Sequence, residues 1–403
     1  MNRKRLTIAS ISVIGIIVVF AISLIGACGA PEKEETLMFG QIQPLSGPAA
    51  PWGISSDRGM KMAVDEVNAQ GGIVIGNTCY TIGYIVLDNK MTSEGGLEAA
   101  TKLVFDHNVK FMPYSLGSGP SLAAQTVTEP AKVLFGTSAM TKDILGPDKP
   151  YSFRVQMGDN EWAPALHGWL REEYPNVKRE AILNRDDAWG RDATEFALLA
   201  AEQYGFEVVY SDWFKLGTQD FAPMLAKMIA SDPDFLYCTG AVIFESALIA
   251  KQARELGFKK PIIVTGGEPT IWFQIVSHEA SENAIAAATH LWSQEDPRFT
   301  PEQKAFAAKY EELYDEPMLS ALPAQAYDAT MIFIEAIKRA KSIDPDKVKE
   351  ELEKGEFDVL QGHVYFAGEE DYGIKHQIMM PLPIYRYDTT THQFRLVNIL
   401  SPD

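Results

Sequence analysis

The sequence predicts an α/β protein of two doubly wound parallel-sheet lobes, on three observations. Short apolar runs alternate with amphipathic stretches from Leu37 to Thr265. The runs are more numerous than one sheet holds economically. The alternation breaks once, near Tyr151–Asp159, where a strand-like YSFRVQ segment gives way to a Gly-Asp-Asn turn. Strand–helix–strand alternation implies parallel sheets covered on both faces. The expected strands are Leu37–Gln43, Tyr80–Asp88, Val109–Ser115, Lys132–Thr137, Ala181–Asn184, Phe206–Trp213, Phe235–Thr239 and Ile262–Thr265. The expected helices between them are Arg58–Ala69, Gly95–His107, Ala188–Tyr204, Phe221–Ile229 and Phe244–Leu256. A helical pair, Pro301–Tyr314 and Ala324–Ala340, follows. The chain then closes in β-like segments, Gly362–Phe366, Met379–Tyr387 and Phe394–Leu400.

The first thirty residues read as an address. Arg3-Lys4-Arg5 precedes Leu6 to Ala27, a stretch without a charge, and then Cys28. A basic start, an apolar stretch and small residues before a cleavage point make an export signal. Ile25-Gly26-Ala27-Cys28 resembles the lipobox of bacterial lipoproteins, which implies cleavage before Cys28 and acylation of its sulfur. The competing reading is an uncleaved anchor, since about 20 apolar residues span a bilayer. Either way the rest of the chain lies outside the cytoplasmic membrane, lipid-anchored on the first reading. Residues 1–27 are thus expected to be a signal peptide and 28–36 a flexible tether.

The remaining composition is that of a globular chain, 46% hydrophobic and 22% charged over 403 residues. Its formal net charge of -18 has no basic cluster beyond the N-terminal trio, so a phosphate-rich partner such as nucleic acid is excluded. Cys79 and Cys238 stand far apart in strand-like runs and are expected to be buried and free. No CxxC or HxxxH spacing exists, so neither a metal nor any other cofactor is expected.

In doubly wound sheets, ligands bind beyond the carboxyl ends of the strands. Three turns there carry candidate chemistry. Leu116-Gly117-Ser118-Gly119-Pro120-Ser121 runs from a strand into a helix, where exposed N–H groups and the Ser118 hydroxyl suit a carboxylate. Gly136-Thr137-Ser138-Ala139-Met140-Thr141 could hold the same carboxylate through the Ala139 backbone and the Thr141 hydroxyl. Each reads equally as a simple helix cap. Thr265-Gly266-Gly267-Glu268-Pro269-Thr270 places Glu268 at a strand end, either as an acid for an ammonium group or as a solvated turn residue.

Several segments resemble bacterial leucine/isoleucine/valine-binding proteins, the solute receptors of branched-chain amino acid ABC transporters. They are Gln41-Ile42-Gln43-Pro44-Leu45-Ser46-Gly47-Pro48 followed by Trp52-Gly53, the Ala63–Ile73 stretch (AVDEVNAQGGI), the Ser118 turn, Thr137–Leu145, and Lys251-Gln252-Ala253-Arg254-Glu255-Leu256-Gly257. The resemblance runs from about Leu37 to Tyr387. It implies the type I periplasmic binding fold, a Venus-flytrap with three crossovers, with lobe 1 at 37–157 and 288–366 and lobe 2 at 158–287 and 367–403. It implies that Ser118, Ala139 and Thr141 hold the ligand carboxylate and Glu268 the ammonium. It also implies ABC permease and ATPase subunits as partners of a monomeric receptor.

The rest of the pocket departs from the family. Trp52 and Trp189 stand where relatives often carry Tyr, and Thr239-Gly240-Ala241-Val242-Ile243 lacks an aromatic often found there. Trp162, near the lobe crossover, faces either crevice or core. The ligand is therefore expected to be an amino acid or similar amine-bearing carboxylate. An aromatic acid, amide or urea is the alternative, as is a sensory receptor on the same fold. An enzyme is not expected: the hydrolase elbow GxSxG fails at Leu116, where its first Gly belongs.

Overall fold

The computed structural model describes residues 33–265, 269–287, 299–318 and 320–400. The leader, Cys28 and most of the expected tether lie outside the described residues. The first lobe opens with β1 (Lys33–Gln43), α1 (Ala50–Ala69), β2 (Ile73–Ile75), β3 (Thr78–Asp88), α2 (Ser93–Thr101), β4 (Phe111–Met112), α3 (Ser118–Thr128), β5 (Leu134–Thr137) and β6 (Ser152–Arg154). The second holds α4 (Asp159–Glu173), β7 (Arg179–Arg185), α5 (Ala188–Tyr204), β8 (Glu207–Phe214), α6 (Ala222–Ala230), β9 (Phe235–Cys238), α7 (Ile243–Glu255), β10 (Ile262–Thr265), α8 (Pro269–Ile275) and β11 (Ala284–Ala287). The chain returns to the first lobe for α9 (Pro301–Tyr314), α10 (Leu322–Ala340), α11 (Pro345–Lys354), β12 (Glu356–Val359), β13 (Gly362–Ala367), α12 (Glu369–Tyr372) and β14 (Gln377–Met379). It ends in the second with β15 (Leu382–Asp388) and β16 (Gln393–Leu400).

Two sheets result, with strand orders β12-β13-β14-β6-β5-β4-β1-β3-β2 and β16-β15-β11-β10-β9-β7-β8. The inner strands are parallel, and β2, β12, β13, β15 and β16 add antiparallel pairings at the edges. The chain crosses between the sheets three times, as a Venus-flytrap requires; the second crossing falls largely on residues outside those described. Core strands are apolar on both faces because helices cover both. Phe39, Phe111, Leu134 and Phe153 are fully buried in the first lobe, and Leu183, Leu236 and Val264 in the second.

Five expectations shift. β1 begins at Lys33, so the expected tether is already strand there, paired Lys33 to Thr78. α1 begins at Ala50 rather than Arg58, because Pro51 is tolerated in a first helical turn. Gly53 is part of that helix, and a Cβ on it would stand 2.0 Å from the Pro44 carbonyl oxygen. β4 stops at Met112 because Pro113 has no N–H for the ladder. β14 pairs in parallel with β6, Gln377 opposite Arg154, so the last crossing follows Met379 rather than residue 366. Cys79 and Cys238 are both free, but only Cys238 is buried; Cys79 is half-buried on an edge pairing, its thiol directed to the Gly71 carbonyl.

α1 carries a titratable group that works against folding. The Asp57 carboxyl has an oxygen without a hydrogen-bond partner among the described residues, and burial pushes it up to about 6. Lys61 and Arg58 oppose the shift only partly. A folded value above the ordinary 3.8 means stability is fully present below about pH 4 and is lost as pH rises through 6. Asp57→Asn is therefore expected to raise stability at pH 7.5 and leave it nearly unchanged at pH 4, by denaturant titration. An equal effect at both pH values would remove Asp57 as the cause.

Candidate functional site

The topology places the site before any side chain is considered. In the first sheet β1 lies between β3 and β4, so the winding reverses there. In the second, β7 lies between β8 and β9 and the winding reverses again. A crevice opens beyond the strand ends at each reversal. The loops after β1 and β4 and those after β7 and β9 line a single cavity of about 470 Å³ between the lobes. That volume is in the range of small-ligand sites.

The first-lobe wall is the Ser118 turn. Gly117 precedes α3 with φ of 103°, a left-handed conformation open to glycine, and this turns the chain so that Ser118 begins the helix. The Ser118 oxygen accepts from the N–H of Met140 at 3.1 Å and of Thr141 at 3.4 Å, which ties the two expected turns together. Ser118, Trp52, Met140 and Ser138 line the cavity. Ala139 and Thr141 stand behind this wall, both buried. The Ala139 N–H donates to Thr137 Oγ1, and the Thr141 hydroxyl donates to Asp192 of α5 at 2.5 Å. Glu268 lies outside the described residues; Thr265, at the end of β10, lines the cavity.

The second-lobe wall is built at the end of β7. The Arg185 N–H donates to the Gly240 carbonyl, and the Gly240 N–H donates to the Asn184 side chain, closing β7 onto the loop after β9. Asp187 caps α5 by accepting from the Gly190 N–H at 2.9 Å. Trp189 in this first turn lines the cavity, as do Trp162, Ala241, Val242 and Ile243. Sequence reasoning named Trp52 and Trp189, left Trp162 undecided and missed Arg185. Trp162 is 3% exposed and still reaches the cavity. Arg185 could have been noticed as the residue ending the strand before the Asp187-Ala188-Trp189-Gly190 turn. Gln325 and Leu322 of α10 also line the cavity, brought in by a helix remote in sequence.

Arg154 ties the crossing to the site. It is buried at the end of β6, ion-pairs with Glu161 at 3.3 Å and contacts Gln377 and Tyr372. It also donates to the carbonyls of Met140 and Thr141, both at 3.2 Å. Asp159, at the start of α4, is buried, and desolvation holds its carboxyl well above the usual range despite Arg154 nearby.

A family model described as periplasmic binding protein matches residues 36–392. The chain belongs to that family. The periplasmic binding fold accounts for both the two-sheet winding and the shared cavity. Among relatives, the leucine-, isoleucine-, valine-, threonine- and alanine-binding protein of Pseudomonas aeruginosa is 25% identical over 352 residues, covering 87% of this chain and 91% of its own. A leucine-binding protein from Thermotoga maritima superposes with a TM-score of 0.74 at 22% identity, over 91% of this chain and 99% of that one. A solute-binding protein of an ABC transporter from R. palustris, solved with benzoate, gives 0.74 at 16% identity, over 91% and 97%. The curated relative is matched over nearly its whole length, and the two solved structures share the fold.

Proposed function

We propose that this protein is the receptor of an ABC importer and captures a small carboxylate, an amino acid first, for delivery to a membrane permease served by separate ATPase subunits. The observation that carries this reading is the pair of facing strand-end crevices sharing one cavity, with the Ser118 turn on one wall. The ligand carboxylate docks on the first lobe through Ser118 and the cavity face of the second turn, where Ser138 and Met140 line the cavity and Ala139 and Thr141 back it. Closure then brings Glu268 to the ammonium, so that both charges are buried only once paired. The Pseudomonas aeruginosa relative, named for binding leucine, isoleucine, valine, threonine and alanine, supports an amino acid. A second reading, an aromatic acid, is favoured by the three tryptophans on the cavity, Trp52, Trp162 and Trp189, and by the benzoate bound in a neighbour of the same fold.

A thermal-shift screen against amino acids, aromatic acids, amides and urea tests this. A ligand at 100 times its Kd stabilises by about 2.7 kcal/mol, a readily measured shift. Ser118→Ala is expected to weaken every carboxylate by about tenfold, the loss of one hydrogen bond to a charged group. Glu268→Ala is expected to weaken an amino acid and spare its keto acid. Binding of amides or urea alone would overturn the reading.

The same proposal includes a lipid anchor at Cys28, supported by the small-small-Cys ending of the apolar leader. Intact mass of the mature chain is expected to begin at an acylated Cys28. Cys28→Ala is expected to release the protein from the membrane fraction or block its processing. A mature, unacylated chain beginning elsewhere would exclude the anchor. The monomeric state belongs to this proposal too, and sedimentation measures it.

A further inference from the structure

We propose that Arg185 and Trp162 form a second acceptor-recognition point on the second lobe, and that the captured solute is a small dicarboxylate. This rests on the reading of the cavity as a small-acid site. The two walls differ in kind. The Ser118 wall offers hydroxyl and backbone groups. The opposite wall carries a guanidinium at the carboxyl end of β7, at the point where the second sheet reverses its winding.

Arg185 is held there deliberately tightly. Its side chain is 5% exposed. Its Nε donates to Asp187 Oδ2 at 2.6 Å, and the cation lies 5.2 Å from the centre of the Trp189 ring. Glu245 Oε2 is 3.7 Å from Nη1, beyond hydrogen-bond reach, so Nη1 has no hydrogen-bond partner among the described residues. The Trp162 indole N–H, on the same cavity, has none either. Both are donors, as is the Trp189 indole N–H on the same cavity, which also has no hydrogen-bond partner among the described residues; a buried donor left unmet is costly, which an acceptor on the ligand relieves. Two acids flank Arg185, and neither hydrogen-bonds Nη1. Asp187 is committed to the Nε edge and to the cap of α5, and Glu245 lies 3.7 Å from Nη1 as an ion pair without a hydrogen bond. A planar guanidinium fixed along one edge presents the rest of its fork to a carboxylate. An uncharged amide could meet one of these donors, but it would present its own N–H₂ to the other and forgo the charge.

The test uses isosteric acid–amide pairs on the full-length protein in detergent, by calorimetry: L-aspartate and L-asparagine, L-glutamate and L-glutamine, terephthalate and its monoamide. The diacid is expected to bind at least tenfold tighter in one or more pairs. Arg185→Met is expected to bring that diacid to the level of its amide, leaving the amide within about threefold; Arg185→Lys is expected to fall between. Trp162→Phe, which keeps the charge and removes the N–H, is expected to weaken the diacid by about three- to tenfold and decides the matter should the Arg185 variants not fold. Amides binding as well as acids in every pair, or a Trp162→Phe or Arg185→Met loss shared equally by acid and amide, would overturn the second recognition point. Neutral amino acids binding while diacids do not would sink this inference alone. Failure of every carboxylate would sink the small-acid reading with it.

Discussion

Replacing Arg154 by Met is expected to lower stability by about 3–5 kcal/mol, the cost of removing one partner from a buried ion pair. Arg154 is fully buried, and its loss would leave Glu161 and the already desolvated Asp159 without a counter-charge. The carbonyls of Met140 and Thr141 would lose the Arg154 donor in the same step. Lys is not expected to rescue, because five contacts converge on a planar fork that a single ammonium cannot reproduce. Urea titrations of both variants measure the effect, with ligand binding as a second readout because Met140 backs the Ser118 turn. A change within about 1 kcal/mol, the range of an exposed pair, would mean that the crossing is held by other contacts.

Asp192→Ala is expected to raise the Kd of the best ligand by about 5- to 150-fold without a comparable loss of stability. Asp192 reaches from α5 in the second lobe and accepts from the Thr141 hydroxyl and the Lys142 N–H, at 2.5 and 2.8 Å, in the first. Removing it leaves two donors unmet when the lobes are together, at about 1–3 kcal/mol, and each 1.4 kcal/mol is tenfold in affinity. The cost falls on the closed form alone, so apparent affinity drops with the closed population. Lys142 also pairs with Glu195 at 2.6 Å, but that pair is half-exposed, and Glu195→Gln is expected to change affinity by less than about fivefold. Calorimetry gives the affinities, and small-angle scattering gives the lobe separation. An Asp192→Ala protein that binds as tightly as the wild type would show that the contact does not bear on closure.

Thr141 illustrates how far the sequence reaches into the site. The motif identifies it as a residue of the second turn, but its hydroxyl points to Asp192 across the lobe boundary, a partner 51 residues away that no local pattern indicates. Ser118 was legible because its turn follows a strand end, where the winding rule places ligands; Trp52 and Trp189 were legible only through the resemblance of their segments to a known family. Arg185 was not, since a strand-terminal Arg beside two aspartates reads as a solvated surface cation until burial is known. Trp162 was ambiguous for a similar reason: periodicity reports that one face of α4 is covered, not whether a cavity or a core covers it.

The elements follow the same division. α5 and α9 are bounded as the sequence indicates, because Asp187 and Gly205 cap the first and Thr300 with Gln303 starts the second. β14 is three residues long between loops, and only its pairings with β13 and β6 give it to the first lobe. The sequence by itself determined the alternation of strand and helix, the two-lobe architecture and the strand-end turn that carries Ser118. These depend on local periodicity and caps, which neighbouring residues encode. The tertiary structure alone decided where the last crossing falls, that Arg154 joins the crossing to the site, and that Arg185 faces the shared cavity. Those depend on burial and on partners far apart in the chain, and a charged side chain acquires its role only when its surroundings lose their water.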